Sequence, residues 1–215
     1  MRIDFVSDLV CPWCAVGLNS LERALERIGG GIPVELHFQP FELNPQMPPE
    51  GEDAAAHLAR KYALTPQQLE RNRATLRERG AEVGFQFGHR DRIWNTFDAH
   101  RLLHWAGLQG RQRELKHALL QAYHGRGENP GAHDVLIRLA GEVGLDAEQA
   151  RELLASGRYA AEVRAEERRW QELGINSVPS VIVDGQYLIQ GGQPPAVFEQ
   201  ALREIAAAPP PEPAP

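Results

Sequence analysis

The sequence predicts an α/β fold whose sheet is interrupted by a large all-helical insertion. Three observations carry that reading. Residues 1–41 run strand, helix, strand; a long charged block rich in Ala, Leu and Arg follows with helical period; and a strand, an Asp-Gly turn, a second strand and a helix close the chain.

In order, residues 3–7 read as a strand whose apolar run carries one acid, Asp4. Cys11-Pro12-Trp13-Cys14 comes next, and Pro12 suits a first helical turn, where a missing N–H costs nothing. Val16, Leu18, Leu21, Leu25 and Ile28 continue that helix with one apolar stripe, and Gly29-Gly30-Gly31 ends it. Val34, Leu36 and Phe38 alternate with polar residues over 34–41, a second strand parallel to the first by the right-handed crossover rule.

After the turn-rich residues 44–49, the chain from 52 to 173 is helical in period. Breaks fall near Thr65-Pro66, Gly80, Gly88, Gly144 and Gly157 and over 107–110 and 125–131. Six or seven helices are expected there, with a short strand at 85–87. Val178 to Val183, then Asp184-Gly185, then Tyr187-Leu188-Ile189 reads as a hairpin. Val197, Phe198, Leu202 and Ile205 mark a last amphipathic helix.

Composition narrows the class. With 215 residues, 42% of them hydrophobic, the chain can bury a sizeable core. A net charge of -6 gives no basic footprint for nucleic acid, and no apolar run is long enough for a membrane helix. The N-terminus opens on Arg2-Ile3-Asp4-Phe5-Val6 without a signal-peptide core, so a cytoplasmic location is expected. In that compartment a structural disulfide is disfavoured, and a catalytic or redox-sensing pair is the usual exception.

Cys11 and Cys14 are the only two cysteines. They could be half of a zinc site, but no second pair exists and no histidine lies at knuckle-like spacing. A plain buried structural pair is the other alternative. Placement at a strand-to-helix junction favours thiol–disulfide chemistry. A helix start lowers a thiol's pKa through unpaired N–H groups and the dipole, and a thiol one turn further on can reach back over it. Cys11 is then the nucleophile and Cys14 the resolving thiol. Trp13 either shields the pair, offers substrate an apolar face, or is a helix-surface aromatic.

A Cys-x-x-Cys beside β-α-β, with helices and then β-β-α downstream, describes a thioredoxin-like fold. Residues 1–48 and 174–206 would form that discontinuous domain, 49–173 the helical insertion domain, and 207–215 a disordered Pro-rich tail. Alone, Val178-Pro179 reads as a trans strand start. With the topology granted, Pro179 is the cis-proline that packs on the active-site pair and leaves the Val178 backbone free to pair with an extended peptide or glutathione.

The segment from Trp94 to Arg101 is less decided. Asn95 or Thr96 can cap the helix that follows, and His100 and His104 fall one turn apart. A metalloprotease helix would need Glu where Arg101 stands, so no metal is expected. A capped helix with polar contacts and a pocket role both remain open. His37, His57, His89, His117, His124 and His133 read as surface or locally bonded, and 164–169 as a solvated helix face.

Together, Asp4-Phe5 through Cys11-Pro12-Trp13-Cys14, Asn95-Thr96 with Ala99-His100-Arg101, Gly174-Ile175 to Val178-Pro179, and Gly191 to Pro194 resemble the DsbA-like thiol oxidoreductases of the FrnE subgroup. The resemblance spans residues 1–206. Kappa-class glutathione transferases and 2-hydroxychromene-2-carboxylate isomerases are related to that group; they have serine where this chain has Cys11, and bind glutathione instead of cycling a disulfide. The resemblance implies that Asn95, His100 and Arg101 line the pocket with Pro12, Trp13, Val178 and Pro179.

The expected activity is protein-disulfide oxidoreductase or isomerase, with no metal or other cofactor and glutathione as a candidate co-substrate. Its partner would be a thiol- or disulfide-bearing protein or glutathione, not nucleic acid or membrane; monomer and homodimer are both open. The alternatives are a glutathione-dependent transferase or isomerase of kappa type, and a non-catalytic thiol switch or partner-binding protein.

Overall fold

The computed structural model describes residues 1–208, so 209–215 of the expected disordered tail lie outside the described residues. Strand β1 (Arg2–Ser7) leads through a short loop into α1 (Pro12–Ile28), and a 3-10 turn over Gly29–Gly31 returns the chain to β2 (Glu35–Pro40). The next stretch holds β3 (Glu52–Asp53), α2 (Ala54–Tyr62), α3 (Pro66–Glu82), β4 (Arg92–Ile93), α4 (Phe97–Leu108) and α5 (Gln112–Leu120). A π-helical turn (Gln121–Gly125), α6 (His133–Glu142), α7 (Ala147–Ala155) and α8 (Ala160–Glu172) complete it. Finally come β5 (Ser180–Val183), β6 (Tyr187–Gln190) and α9 (Pro195–Ala207).

The main sheet has the order β2-β1-β5-β6. β1 and β2 are parallel, as a β-α-β crossover requires, and β1/β5 and β5/β6 are antiparallel. As the central strand, β1 is buried on both faces. Its one acid, Asp4, is satisfied there by Arg2 at 2.8 Å and by the Gln39 amide at 2.6 Å. Asp184 (φ 51°) and Gly185 (φ 70°) both take the left-handed conformation that a tight two-residue hairpin turn demands.

One expectation in the helical stretch fails. Residues 85–87 form no strand; the Phe85 and Phe87 rings pack on each other at 4.8 Å, and Phe87 also meets His124 at 5.7 Å. The alternation there reports two rings on one side, not a ladder. The small second sheet is instead β3 against β4. The break expected near Gly80 falls two residues on, where α3 ends at Glu82; Gly80 itself lies in the last turn, where a Cβ would be 2.6 Å from the Phe85 carbonyl and 2.7 Å from the Phe87 ring. The glycine is there for a close approach.

The β2 edge is covered by α5. The Gln112 side chain accepts from Phe38 N–H at 3.2 Å and donates to the Phe38 carbonyl at 3.0 Å, acting as one residue of an added strand. Beneath, a large apolar cluster joins sheet and helical stretch, and a smaller one packs Trp170 of α8 on Val6 and Ile182. Ile3, Phe5, Leu18 and Phe198 pack in the large cluster with Leu102, Leu119 and Leu153, all fully buried. No helix of the described residues is long and apolar enough to cross a membrane.

Candidate active site

The β1–α1 loop sets the two thiols. Cys11 occupies the N-cap of α1 in an extended conformation, and its side chain makes no capping bond. Pro12, at the first helical position, needs no N–H partner. Cys11 N–H donates to the Asp8 carbonyl at 3.3 Å, and Cys14 N–H to the Cys11 carbonyl at 3.1 Å. Both cysteines are free; Cys11 is 5% exposed and Cys14 fully buried.

Their acidities are pushed apart. A hydrogen bond from the Cys14 thiol, above all, lowers the Cys11 pKa, with the backbone N–H groups of Cys14 and Trp13 adding to it against burial and the Asp8 charge. Burial, followed by the neighbouring Cys11 sulfur, raises Cys14 well above an ordinary thiol. The dithiol therefore pairs a more acidic thiol at the N-cap with a less acidic one buried behind it.

The surface beside Cys11 is built where two segments meet α1. Cys11 Sγ lies 3.5 Å from the Val178 carbonyl oxygen. The Val178–Pro179 peptide bond is cis. Pro179 rests on Gly17 so tightly that a Cβ there would approach Pro179 Cγ to 2.9 Å and Gly192 Cα to 3.3 Å. Gly191 N–H donates to the Pro179 carbonyl at 2.8 Å, and a Cβ on Gly192 would come within 3.0 Å of the Trp13 carbonyl oxygen and 3.2 Å of its ring. Two glycines thus let the Pro179 ring and the β6–α9 loop rest directly on the backbone of α1. Trp13 is left 37% exposed beside Cys11.

Behind the thiols sits Asp8, fully buried. It accepts from Leu43 N–H at 2.7 Å and from the Thr96 hydroxyl at 2.9 Å, and His100 Nε2 stands 3.6 Å away. Burial alone would raise this carboxyl. The His100 imidazole, Leu43 N–H and Thr96 hydroxyl outweigh it and hold Asp8 below the ordinary range.

The Asn95–Arg101 segment therefore reaches the site from behind. Asn95 bonds the Met47 carbonyl at 3.1 Å and caps the chain at Phe97 N–H (2.9 Å); His100 is 3% exposed and faces Asp8. Arg101 lies apart from the thiols. Its guanidinium donates to Asp98 at 2.7 Å, to the Leu153 and Arg158 carbonyls at 2.6 and 2.9 Å, and to the Ser156 carbonyl, tying α4 to the α7–α8 turn. Those acceptors occupy the donors expected for substrate. His104 stacks on Tyr159 at 5.0 Å.

Sequence reasoning missed the rest of the buried shell. His124, read as surface or locally bonded, is fully buried in the π-helical turn and donates from Nε2 to the distant Leu9 carbonyl at 2.8 Å, and burial holds its pKa well below normal. Lys116 is 1% exposed; burial lowers its pKa, against the charges of Cys14, Asp8 and Cys11. Glu167, assigned to a solvated face, is buried with Glu42, and both carboxyls are raised by burial although Arg164 pairs with each. One local signal existed: Lys116 interrupts the apolar stripe Leu115, Leu119, Leu120. No group of three or more His, Cys, Asp or Glu among the described residues could hold a metal ion.

Known proteins share this architecture. The family model described as DSBA-like thioredoxin domain matches residues 2–203. An uncharacterized Bacillus subtilis protein, YwbO, is 27% identical over 212 residues, covering 95% of this chain and 96% of its own. The solved structure of a probable DsbA oxidoreductase from Streptomyces coelicolor is 34% identical, with TM-score 0.90 over 100% of this chain and 94% of that one. The cytosolic disulfide reductase DsbM from Pseudomonas aeruginosa, solved with GSH, has the same fold at 16% identity and TM-score 0.67, over 97% of this chain and 100% of its own.

Proposed function

The chain belongs to the DsbA-like thioredoxin domain family, and from that premise we propose that it is a thiol–disulfide oxidoreductase in which Cys11 attacks and Cys14 resolves. The observation that carries this reading is the placement of two free cysteines one helical turn apart, with Cys11 at the N-cap of α1 and its Sγ 3.5 Å from the Val178 carbonyl at the cis Val178–Pro179 bond. The Cys11 thiolate attacks one sulfur of a substrate disulfide; a Cys11–substrate bond forms and the other substrate sulfur leaves as a thiolate. Cys14 then gives up its proton and attacks Cys11 sulfur. The second substrate thiolate departs, and the Cys11–Cys14 disulfide holds the oxidising equivalents. Run backwards, the same steps oxidise a substrate dithiol.

Pro12, Trp13, Val178 and Pro179 are the proposed substrate contacts. The Val178 backbone, 3.5 Å from Cys11 Sγ at its carbonyl, is placed to pair with an extended peptide or glutathione. Asn95 and His100 act through Asp8 and its loop instead of touching substrate. The partner is a protein thiol or disulfide, with glutathione as the small co-substrate to try first, in a cytoplasmic setting.

Intact mass analysis of variants incubated with glutathione disulfide and a disulfide-bearing peptide tests this. Cys14→Ser accumulates mixed disulfides on Cys11; Cys11→Ser traps nothing and reduces no insulin. Full insulin reduction by both variants would sink the assignment.

A further inference from the structure

A second concavity, of about 330 Å³, opens between the β2 edge and helices α4, α5 and α8. Neither Trp13 nor the Val178–Pro179 turn lines it. Its ionisable lining is Arg2, His37, His100, His104, Lys116 and Arg169 against one acid, Glu166. In a chain of net charge -6 this is a local reversal of sign.

The rim arginines are already paired, Arg2 with Asp4 at 2.8 Å and Arg169 with Glu166 at 3.4 Å. Lys116, on the floor, is not. It is 1% exposed and, among the described residues, feels the charge of Asp8 without a salt bridge or hydrogen bond to it. His37 Nε2 is also buried without a hydrogen-bond partner, its neighbouring acid Glu35 standing 3.8 Å away, whereas His100 Nε2 is turned to Asp8 at 3.6 Å. Buried cations and polar nitrogens are retained at a cost unless something satisfies them, and a cleft lined by them is open to such a group.

We infer that this cleft is a binding site for a small oxyanion, one carrying two negative charges on phosphate or carboxylate oxygens. Lys116 supplies the unpaired charge at the floor, and the imidazoles of His37 and His104 supply donors at the β2 and α4 walls. The cleft volume sits at the small end of ligand sites, which suits a compact dianion. The site is distinct from the thiols, yet Lys116 also feels the charge of Asp8 behind them.

The test is calorimetric titration of the full chain with inorganic phosphate and, separately, with malonate, at an ionic strength fixed by chloride. Saturable binding of one anion per chain is expected for at least one of the two, and the preferred arm identifies the source of the oxygens. Lys116→Met should weaken that binding by about tenfold or more, as loss of a charge-assisted contact implies. Removing a buried unpaired charge generally keeps or raises stability, so this variant should fold, which its melting curve checks. Should it fail to fold, Arg169→Gln on the exposed rim reads the same site, with an expected weakening of about threefold. No saturable binding of either anion, or undiminished affinity in the folded variants, would overturn the inference.

Discussion

At Cys11 the decisive neighbour is another thiol. The Cys14 S–H is the largest influence lowering the Cys11 pKa, so Cys14→Ala should move the midpoint of Cys11 alkylation by iodoacetamide to higher pH. In the wild type, Cys11 should be labelled well before Cys14, whose burial keeps it protonated. Following both sites by peptide mass across a pH series decides the matter; equal labelling would contradict it. Asp8 gives a second residue-scale expectation. Asp8→Ala leaves Leu43 N–H and the Thr96 hydroxyl without an acceptor, a loss of about 3 kcal/mol in denaturant unfolding. The folded pKa of Asp8 is depressed below its ordinary 3.8, so its contribution is complete above that value and disappears as pH falls through the folded one. The gap between wild type and variant should therefore close in acid.

Among elements, the contact of α1 with the Pro179 turn and the β6–α9 loop is held by an absent side chain. Gly17→Ala puts a carbon 2.9 Å from Pro179 Cγ and 3.3 Å from Gly192 Cα, displacing the turn that sets the Val178 carbonyl beside Cys11. A stability loss of about 1–3 kcal/mol is expected from overpacking, together with slower exchange on peptide disulfides. Retention of wild-type rates would show that the Val178 backbone does not position substrate. Elements with local signatures were legible in the sequence: the Cys-x-x-Cys helix start, the alternating strands, the Asp184-Gly185 hairpin. The Phe85-x-Phe87 alternation misled because two rings packed on each other and against His124, one of them also on a helical glycine, leave the same pattern as a strand. Arg101 misled for a related reason. A sequence shows a cation near a pocket-lining segment, but not the carbonyls of a turn more than fifty residues on that take its donors.

Over the whole molecule, what escaped the sequence is the set of polar links between sheet and helical stretch. Thr96 meets Asp8 across 88 residues, and Arg164 meets Glu42 across 122. No periodicity encodes such pairs; they exist only once the apolar cluster has brought both halves together. The Glu42–Arg164–Glu167 link also sets a pH signature. Burial raises the folded pKa of both glutamates above their ordinary 4.5. Their contribution is complete below that value and declines as pH rises through the folded one. Glu42→Gln removes part of this decline, so the stability of the variant relative to wild type should climb between pH 4.5 and neutrality in urea titrations. A flat difference would mean the two carboxylates ionise as freely as exposed ones.

The amide of Gln112 on Phe38 has a consequence for how copies of this chain could join. With β2 stoppered by a side chain that mimics a strand, and Pro40 at its end lacking an N–H, the sheet can grow only beyond β6. Two copies meeting β6 to β6 would leave no open border on either side. Association by strand addition would thus terminate at a pair and could not propagate into a fibre.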